Sequence, residues 1–142
     1  MIADFQTSGK GRFDRKWVAE INTALLMSVS FSADAEKVNL GVFASGVAVA
    51  SCSALRSLGF EQVRIKWPND ILSDHKKICG VLVENYIKGD SILGSIIGVG
   101  LNINQTDFTT IKGASSLLNQ TNNRFDLEFV LNLLLINTCL IF

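Results

Sequence analysis

The chain has 142 residues, of which 48% are hydrophobic and 18% charged, and this composition excludes a largely disordered protein. Its 13 basic and 13 acidic residues cancel. This balance excludes a chain-wide positive field that would draw the protein to nucleic acid or to an anionic membrane. The length suits one domain, and any anion-binding site in it must be a local feature.

The cysteines and the single histidine limit the chemistry further. Cys52, Cys79 and Cys139 form no C-x-x-C motif, and an odd number does not fit a closed set of disulfides. His75 is the one histidine, which excludes a histidine-rich metal site. The first residues lack the basic segment and apolar run of a signal peptide. We therefore expect a cytoplasmic protein with reduced thiols.

The first half of the chain predicts two strands, a glycine-rich loop and one long helix. Residues 2–5 predict a short strand, and residues 6–16 a polar loop that contains two glycines. Residues 23–31 are half alternating and half continuously apolar, as in a buried strand. Residues 38–58 are rich in Ala, Val, Ser and Leu and predict a buried helix, with Gly59 as its C-cap glycine.

Three longer strands are predicted in the second half, and they follow one another without an intervening helix. Residues 63–67 alternate between apolar and polar side chains, and residues 78–87 and 91–103 are longer apolar segments. The Lys-Gly-Asp turn at 88–90 joins the last two as a hairpin. A brief strand resumes at residues 71 and 72. The other predicted turns and loops are 68–70, 74–76, 104–115 and 119–124.

The C-terminal segment, residues 127–142, is apolar almost all round. Its apolar residues have the spacing of a helix packed against a core, and Asp126 is the expected N-cap. A membrane anchor is the alternative, but polar residues interrupt the segment and a bilayer requires roughly 20 apolar residues. We therefore expect a core helix. The residues at the helical spacing are Leu127, Val130, Leu131, Leu134 and Leu135.

The order of these elements indicates the class of fold. Runs of strands set against few helices are typical of α+β proteins. We therefore expect an α+β fold in which a mixed or antiparallel sheet is covered on one face by helices. No repeat, low-complexity segment or internal linker divides the sequence. Residues 1–142 are accordingly interpreted as one domain.

The first candidate site is the loop GKGRFDRKW, residues 9–17, which holds four of the 13 basic residues. Glycines let backbone N–H groups approach a ligand closely, and Lys10 and Arg12 add positive charge, so the loop suits a phosphate or a carboxylate. It lacks the G-x-x-x-x-G-K-[ST] pattern of a P-loop, and it is not a dinucleotide fingerprint, since Asp14 stands where the third glycine would be. A solvated flexible loop is the alternative.

The second candidate site is KWPND, residues 66–70. The proline makes a rigid turn that presents Asn69 and Asp70. A carboxylate held in this way would bind Mg²⁺ or orient a cationic group. The face of Trp67 would stack on a purine. The alternative is a plain turn that Asp70 caps.

Two further candidates are a lysine and a glycine-containing strand. Lys77 precedes small and apolar residues, and a lysine at the edge of a dry pocket stabilises developing negative charge; a solvated lysine pair is the alternative. Glycines at 98 and 100 remove side chains from one strand face, which Asn102 shares by the period of two. We expect Cys79 to be buried and not a nucleophile, because no histidine is placed to activate it.

Taken together and in this order, these motifs resemble the catalytic domain of the biotin protein ligases. The family patterns are Q-T-x-G-R-G-R-x-G-R-x-W, K-W-P-N-D, K-[IL]-x-G-[IV]-L-V-E and G-[IV]-G-x-N-x-N. The resemblance covers residues 2–125. The segments that carry it are FQTSGKGRFDRKW from residue 5, KWPNDIL from 66, HKKICGVLVEN from 75, IIGVGLNIN from 96 and ASSLL from 114.

The resemblance implies a class II synthetase-like fold and an ATP-dependent ligase. Such an enzyme uses Mg²⁺ and ATP to activate biotin as biotinyl-5′-AMP. It then transfers the biotinyl group to a lysine of the biotin carboxyl carrier domain of a biotin-dependent carboxylase. No nucleic acid and no membrane is implied as a partner, and the oligomeric state stays open, with a homodimer among the alternatives.

The resemblance also implies roles for individual residues. Arg12 and Lys77 would be the catalytic residues. The implied biotin-binding residues are Gln6, Gly9, Lys10, Gly11, Arg12, Lys77 and Gly80. The implied ATP- and adenylate-binding residues are Trp17, Asn69, Asp70 and Asn102, with Asp70 also the implied Mg²⁺ ligand.

The sequence departs from the family pattern at two positions and in its extent. Lys10 replaces the first arginine of the family loop and loses the bidentate fork of a guanidinium. Asp14 replaces a glycine and adds a negative charge. The family's S-T-N stretch, its C-terminal β-barrel and any helix-turn-helix module are not found, so an incomplete catalytic domain is expected. The alternatives are a non-catalytic biotin- or nucleotide-binding remnant, and a lipoate or octanoate ligase or transferase of the same fold.

Overall fold

A six-stranded sheet forms the centre of the computed structural model, which describes residues 1–32 and 40–140. In chain order the strands are β1 (Ile2–Ala3), β2 (Gly9–Lys10), β3 (Lys16–Trp17), β4 (Ala24–Ser32), β5 (Arg64–Lys66), β6 (Asp70–Ser73), β7 (Lys76–Lys88) and β8 (Ser91–Asn102). The helices are α1 (Leu40–Ser57), α2 (Leu117–Thr121) and α3 (Leu127–Cys139).

The main sheet has the strand order β1-β4-β8-β7-β6-β5, and each neighbouring pair in it is antiparallel. Helices α1 and α3 pack against each other, α1 on β5, β6 and β7 and α3 on β4. Strands β2 and β3 form a separate two-stranded sheet. The predicted α+β fold with a sheet covered on one face by helices is confirmed. The strand pairs of the described residues are antiparallel, and an isolated bridge between Lys77 and Ala114 is parallel.

Alternation along β8 separates the covered face of the sheet from the open one. Ile97, Val99 and Leu101 are buried in the core together with residues of α1 and α3. Because successive residues of a strand face opposite sides, Gly98 and Gly100 lie on the open face. The open face of this strand therefore lacks side chains where a ligand or another part of the chain would approach.

Helix α1 ends where the sequence predicted. The described part of the helix is Leu40–Ser57, and the predicted start at residue 38 lies outside the described residues. Gly59 has a φ of 89°, and its N–H donates to the carbonyl of Arg56 at 2.9 Å. A positive φ at this position suits glycine because it has no Cβ. The predicted C-cap is confirmed.

Helix α3 is a core helix, as its apolar spacing predicted. Val130 and Leu134 are each 2% exposed, and the Asp126 side chain caps the helix by accepting from the N–H of Phe129 at 2.7 Å. Leu135 was also expected on the core side, but 39% of it is exposed. In the described residues, none of the helices is long and apolar enough to cross a bilayer.

Two of the predicted turns are partly wrong. Helix α2 occupies the start of the predicted turn 119–124, because Ser116 accepts from the N–H of Asn119 and caps a short helix. Asn122 ends it with a φ of 59°. The predicted turn 68–70 is shorter than expected, since Asp70 already pairs with Lys66 as the first residue of β6.

Candidate functional site

The open face of the sheet carries a cleft of about 810 Å³. Seven of the chain's 13 basic residues line this cleft, compared with two of its 13 acidic residues. A neutral chain therefore has a strongly positive cleft, which favours anionic ligands. The basic residues are Lys10, Arg12, Arg15, Lys16, Lys66, Lys77 and Lys112, and the acidic ones are Asp70 and Glu84.

The floor of the cleft is bare backbone at two paired glycines. Gly80 of β7 lies directly opposite Gly100 of β8, and Asp70 and Leu26 flank them on β6 and β4. We call Gly80 and Gly100 the glycine floor. Two adjacent glycines leave a gap in the side-chain layer of the sheet, which permits close approach.

The indole of Trp17 lies on the glycine floor. A Cβ built at Gly100 would be 2.5 Å from the ring, and one at Gly80 would be 3.0 Å from it. The distance at Gly100 is too short for a real side chain, so glycine is required there while the ring is in place, and at Gly80 a Cβ would fit only if the ring moved by a few tenths of an ångström. The indole Nε1 is buried without a hydrogen-bond partner. The group that approaches Gly100 closely is therefore the side chain of Trp17.

A β-bulge turns Lys77 toward the cleft. In the β6–β7 pair, Ile71 is opposite Cys79 and Leu72 is opposite Lys77, so Ile78 is an extra residue. Ile78 and Cys79 are both completely buried. Strict alternation would put Lys77 on the same buried face as Cys79. Because the extra residue reverses the alternation, the lysine lies on the face of Gly80.

Lys77 is held by its backbone and by two side chains. Its N–H donates to the carbonyl of Gly113 at 2.8 Å, and its carbonyl accepts from the N–H of Ser115 at 2.9 Å. Its Nζ lies 2.6 Å from Oδ1 of Asp70 and 5.5 Å from the centre of the Trp17 ring. The ammonium group is therefore fixed at the edge of the glycine floor.

Asp70, the implied Mg²⁺ ligand, contacts Lys77 and not a second carboxylate. The described residues contain no group of three or more His, Cys, Asp or Glu that would hold a metal alone. Mg²⁺ in nucleotide-binding enzymes is usually held by one or two carboxylates together with phosphate oxygens and water. Asp70 fits this second kind of site, as one protein ligand beside the phosphates of a nucleotide.

Asn102 and Asn104 end β8 and have different surroundings. Asn102 is 4% exposed; its Nδ2 donates to the carbonyl of Ser115 at 3.0 Å, and its Oδ1 is buried without a partner. Both polar atoms of Asn104 are used, since it donates to the carbonyl of Phe125 and accepts from the N–H of Phe125. Asn102 thus has a free acceptor in the cleft, and Asn104 is a structural residue.

The glycine-rich loop is a β-hairpin and not an irregular loop. Gly9 pairs with Trp17 and Lys10 with Lys16, and the N–H of Arg15 donates to the carbonyl of Arg12 at 3.2 Å. A Cβ at Gly9 would be 2.5 Å from the carbonyl oxygen of Trp17. The first glycine of the loop is therefore required by the pairing of β2 with β3.

The turn of this hairpin has an unusual backbone. Phe13 and Asp14 have φ of 54° and 58°, and both are exposed. Two consecutive positive φ angles are typical of a type I′ hairpin turn, in which Asn and Gly are preferred. The family pattern has glycine at the position of Asp14, and glycine adopts a positive φ without steric cost. The guanidinium of Arg12 lies 4.9 Å from the Phe13 ring centre.

Cys79 is inert in this arrangement, as expected from the sequence. Complete burial raises the pKa of its thiol from 9.0 to about 12. The thiolate, which is the nucleophilic form, is therefore suppressed at neutral pH. Burial also raises the pKa of the Cys52 thiol.

The structure places nearly all the implied site residues in one cleft, although their roles stay predictions. Gly9 alone does not line it; it is buried in the hairpin, where it pairs with Trp17. The other ten are Gln6, Lys10, Gly11, Arg12, Trp17, Asn69, Asp70, Lys77, Gly80 and Asn102. Several other lining residues were not selected from the sequence, among them Lys66, His75, Glu84 and Lys112. The first three belong to the quoted motifs, but Lys112 has no such signal.

Comparison with known proteins identifies the family of this chain. The family model described as "Biotin/lipoate A/B protein ligase family" matches residues 1–102. The bifunctional ligase/repressor BirA of Bacillus spizizenii is 35% identical over 105 residues, which are 74% of this chain and 32% of that protein. The biotin–[acetyl-CoA-carboxylase] ligase of Mycobacterium tuberculosis is 32% identical over 122 residues, which are 83% of this chain and 44% of that protein.

A solved structure covers almost the whole chain. The biotin protein ligase from Aquifex aeolicus in complex with biotin and ATP has a TM-score of 0.83 and 30% identity. The match covers 99% of this chain and 58% of that one. The chain thus spans between 32% and 58% of the length of these relatives. Since the family model covers well over half of its residues, the chain belongs to the biotin/lipoate A/B protein ligase family.

Proposed function

We propose that this chain is catalytic-domain sequence of an ATP-dependent biotin protein ligase. The observation that carries the proposal is the position of the Lys77 ammonium at the edge of the glycine floor, 2.6 Å from Asp70, in a cleft that Arg12 also lines. The named relatives support the choice of biotin, since they are called biotin ligases and one solved structure contains biotin and ATP.

The first step would join two anions. A biotin carboxylate oxygen attacks the α-phosphorus of ATP, the bond to the β-phosphate breaks, and pyrophosphate leaves. Both reactants are negatively charged, so they repel each other unless fixed cations offset the charge. Lys77 and Arg12 would hold the carboxyl–phosphoryl junction, where preorganised cations stabilise the transition state. Gln6 and Gly11 line the same cleft and would contact biotin.

The second step would release AMP. The neutral amine of a carrier lysine attacks the acyl carbon of biotinyl-5′-AMP, the acyl–phosphate bond breaks, AMP leaves with the electron pair, and the amine loses a proton. The substrate lysine must reach the acyl carbon from outside the protein. An open cleft at the surface of the sheet permits this access.

The nucleotide would lie beside the biotin site. Asn102 has a buried acceptor without a partner, and Asn69 and Asp70 line the cleft near Lys77. Mg²⁺, when bound, would offset the charge of the phosphates, with Asp70 as its protein ligand. The partner would be a biotin carboxyl carrier domain in the cytoplasm. Self-association as a homodimer is part of the proposal, and sedimentation velocity tests it.

The test is isotope exchange between pyrophosphate and ATP, measured with this chain in the presence of biotin. Exchange that requires biotin and disappears in Lys77→Met supports the ligase. Exchange with lipoate or octanoate in place of biotin would instead make the chain a lipoate-type enzyme of the same family. Biotin binding by calorimetry without exchange would identify a non-catalytic remnant. The proposal would be refuted if biotin at saturating concentration neither bound to the chain nor supported exchange.

A further inference from the structure

Trp17 occupies the place that a ligand of the glycine floor requires. No Cβ fits between the ring and Gly100, where it would lie 2.5 Å from the ring, and a Cβ at Gly80 would be in tight contact at 3.0 Å. A ligand that lies on the bare backbone of these residues therefore cannot be present together with the ring. We propose that Trp17 closes the glycine floor in the ligand-free chain and that biotin displaces it. This inference rests on the proposed function, since biotin is the ligand.

The resting position of the ring is incompletely satisfied. The indole Nε1 is buried and has no hydrogen-bond partner. A buried donor without a partner destabilises the state that contains it relative to one in which the donor reaches water or a ligand. The side chain that covers the glycine floor would therefore gain a hydrogen-bond partner on leaving it.

The element that carries Trp17 is suited to move. Strands β2 and β3 pair through two positions, Gly9 with Trp17 and Lys10 with Lys16, in a sheet separate from the main one. The turn between them contains two residues with positive φ. A hairpin with so few pairs can shift as a unit without breaking the six-stranded sheet.

Displacement of the ring would also change the surroundings of Lys77. The ring centre is 5.5 Å from Lys77 Nζ, within the distance at which an aromatic face attracts an ammonium group. Removal of the ring leaves the ammonium with Asp70 and with the incoming carboxylate. When biotin displaces the ring, Lys77 thus loses its contact with Trp17 and becomes available to the biotin carboxylate in the same step.

Nuclear magnetic resonance measures the contact directly. In a sample labelled at the glycine α-carbons, we expect Overhauser contacts from the α-protons of Gly80 and Gly100 to the Trp17 ring in the ligand-free chain. Saturating biotin should abolish them and replace them with contacts to biotin. Gly98 is the internal control, since a Cβ there would have no neighbour closer than 3.9 Å and none from Trp17.

Persistence of the Trp17 contacts in the biotin complex would overturn this inference, as would their absence from the ligand-free chain. Calorimetric titration of the same sample with biotin distinguishes failure of the displacement from failure of the proposed function. Biotin that binds without moving the ring refutes the displacement alone. Biotin that does not bind refutes the proposed function and the inference with it.

A substitution tests the same contact without a ligand. Gly100→Ala should expel the ring, and Gly98→Ala should not. The readout is quenching of Trp17 fluorescence by acrylamide in a Trp67→Phe background, because the chain has two tryptophans. We expect quenching to increase about twofold in Gly100→Ala alone, and equal quenching in the two variants would contradict the proposal. If Gly100→Ala does not fold, the resonance experiment on the unsubstituted chain decides.

Discussion

The Nζ of Lys77 lies 2.6 Å from a carboxylate oxygen of Asp70, across the β6–β7 pair. The two side chains meet because the extra residue Ile78 brings the lysine to the open face of the sheet. Both side chains are largely shielded, with 34% and 18% of their surfaces exposed. A substrate carboxylate that reaches Lys77 therefore competes with Asp70 for the ammonium group.

Lys77→Met should lower kcat for biotin-dependent pyrophosphate exchange by about 10²–10³, because loss of one preorganised charge at a reacting centre costs this much. Lys76→Met is the matched control, since Lys76 is the exposed neighbour in the same strand. We expect it to retain activity within about twofold. Circular dichroism checks that both variants fold. Equal loss in the two variants would show that the charge at Lys77 has no special role.

Asn102→Ala should weaken ATP binding about tenfold, because the free Oδ1 is the acceptor predicted to contact the nucleotide. Biotin affinity should change much less. Asn104→Ala should affect stability and not ligand binding, since this side chain makes two hydrogen bonds to the backbone of Phe125. It should lower the free energy of unfolding by about 1–3 kcal/mol without altering the ratio of the two affinities.

Calorimetric titrations with ATP and with biotin, together with denaturant unfolding, give both quantities. The outcome that contradicts this assignment is a loss of biotin affinity equal to the loss of ATP affinity in Asn102→Ala. A selective loss of ATP affinity in Asn104→Ala would contradict it as well.

Asp14→Gly should raise the free energy of unfolding by about 1 kcal/mol, because Asp14 has a φ of 58° and glycine has no Cβ to oppose it. Asp14→Ala removes the same charge but keeps a Cβ, so it should give no gain in stability. Both variants should bind ATP more tightly than the parent chain, since each removes a negative charge beside a cationic site. Thermal unfolding and ATP titration separate the backbone effect from the charge effect.

Similar stabilisation of the two variants would mean that charge, and not backbone conformation, limits this turn. Phe13→Asn gives a second check at the neighbouring residue. Asn tolerates positive φ better than an aromatic residue does, and Phe13 has a φ of 54°. We expect it to stabilise the hairpin as well.

The sequence predicted the strands of the main sheet and the two long helices, since these depend on local patterns, but it predicted a loop where β2 and β3 form a hairpin. The alternation of apolar residues in a strand and their spacing in a helix follow from which face is buried. The helix caps at Asp126 and Gly59 depend on neighbouring residues alone. The motifs come together because β6, β7 and β8 are adjacent in the sheet. That adjacency is the ordinary consequence of short antiparallel connections.

What the sequence did not predict depends on contacts between distant segments. The bulge at Ile78 is invisible in the alternation of β7, although it decides which face Lys77 takes. The two asparagines of the N-x-N motif look equivalent until Phe125 pairs with Asn104. The ring of Trp17 reaches Gly100 only through the folding of the hairpin over the sheet. A nucleotide-side position for Trp17 therefore stays a prediction beside the observed contact.

The Cys79 thiol should make stability depend on pH in the alkaline range. Burial raises its pKa from 9.0 to about 12, so the folded chain favours the protonated thiol more than the unfolded chain does. A group with a raised pKa in the folded state contributes fully below its unfolded pKa and loses its contribution as pH rises. The contribution of Cys79 is thus complete below pH 9 and declines between pH 9 and about 12.

The expected decline is about 1.4 kcal/mol per pH unit for this one group. Lysines and Tyr86 also titrate in this range, so the difference between the parent chain and Cys79→Ala is the quantity to measure. Urea unfolding at pH 8, 9, 10 and 11 provides it. Cys79→Ala should be less stable than the parent chain at pH 8, because it leaves a cavity, and the gap should narrow as the pH rises. A gap that stays constant to pH 11 would show that the thiol ionises as readily in the folded chain as in the unfolded one.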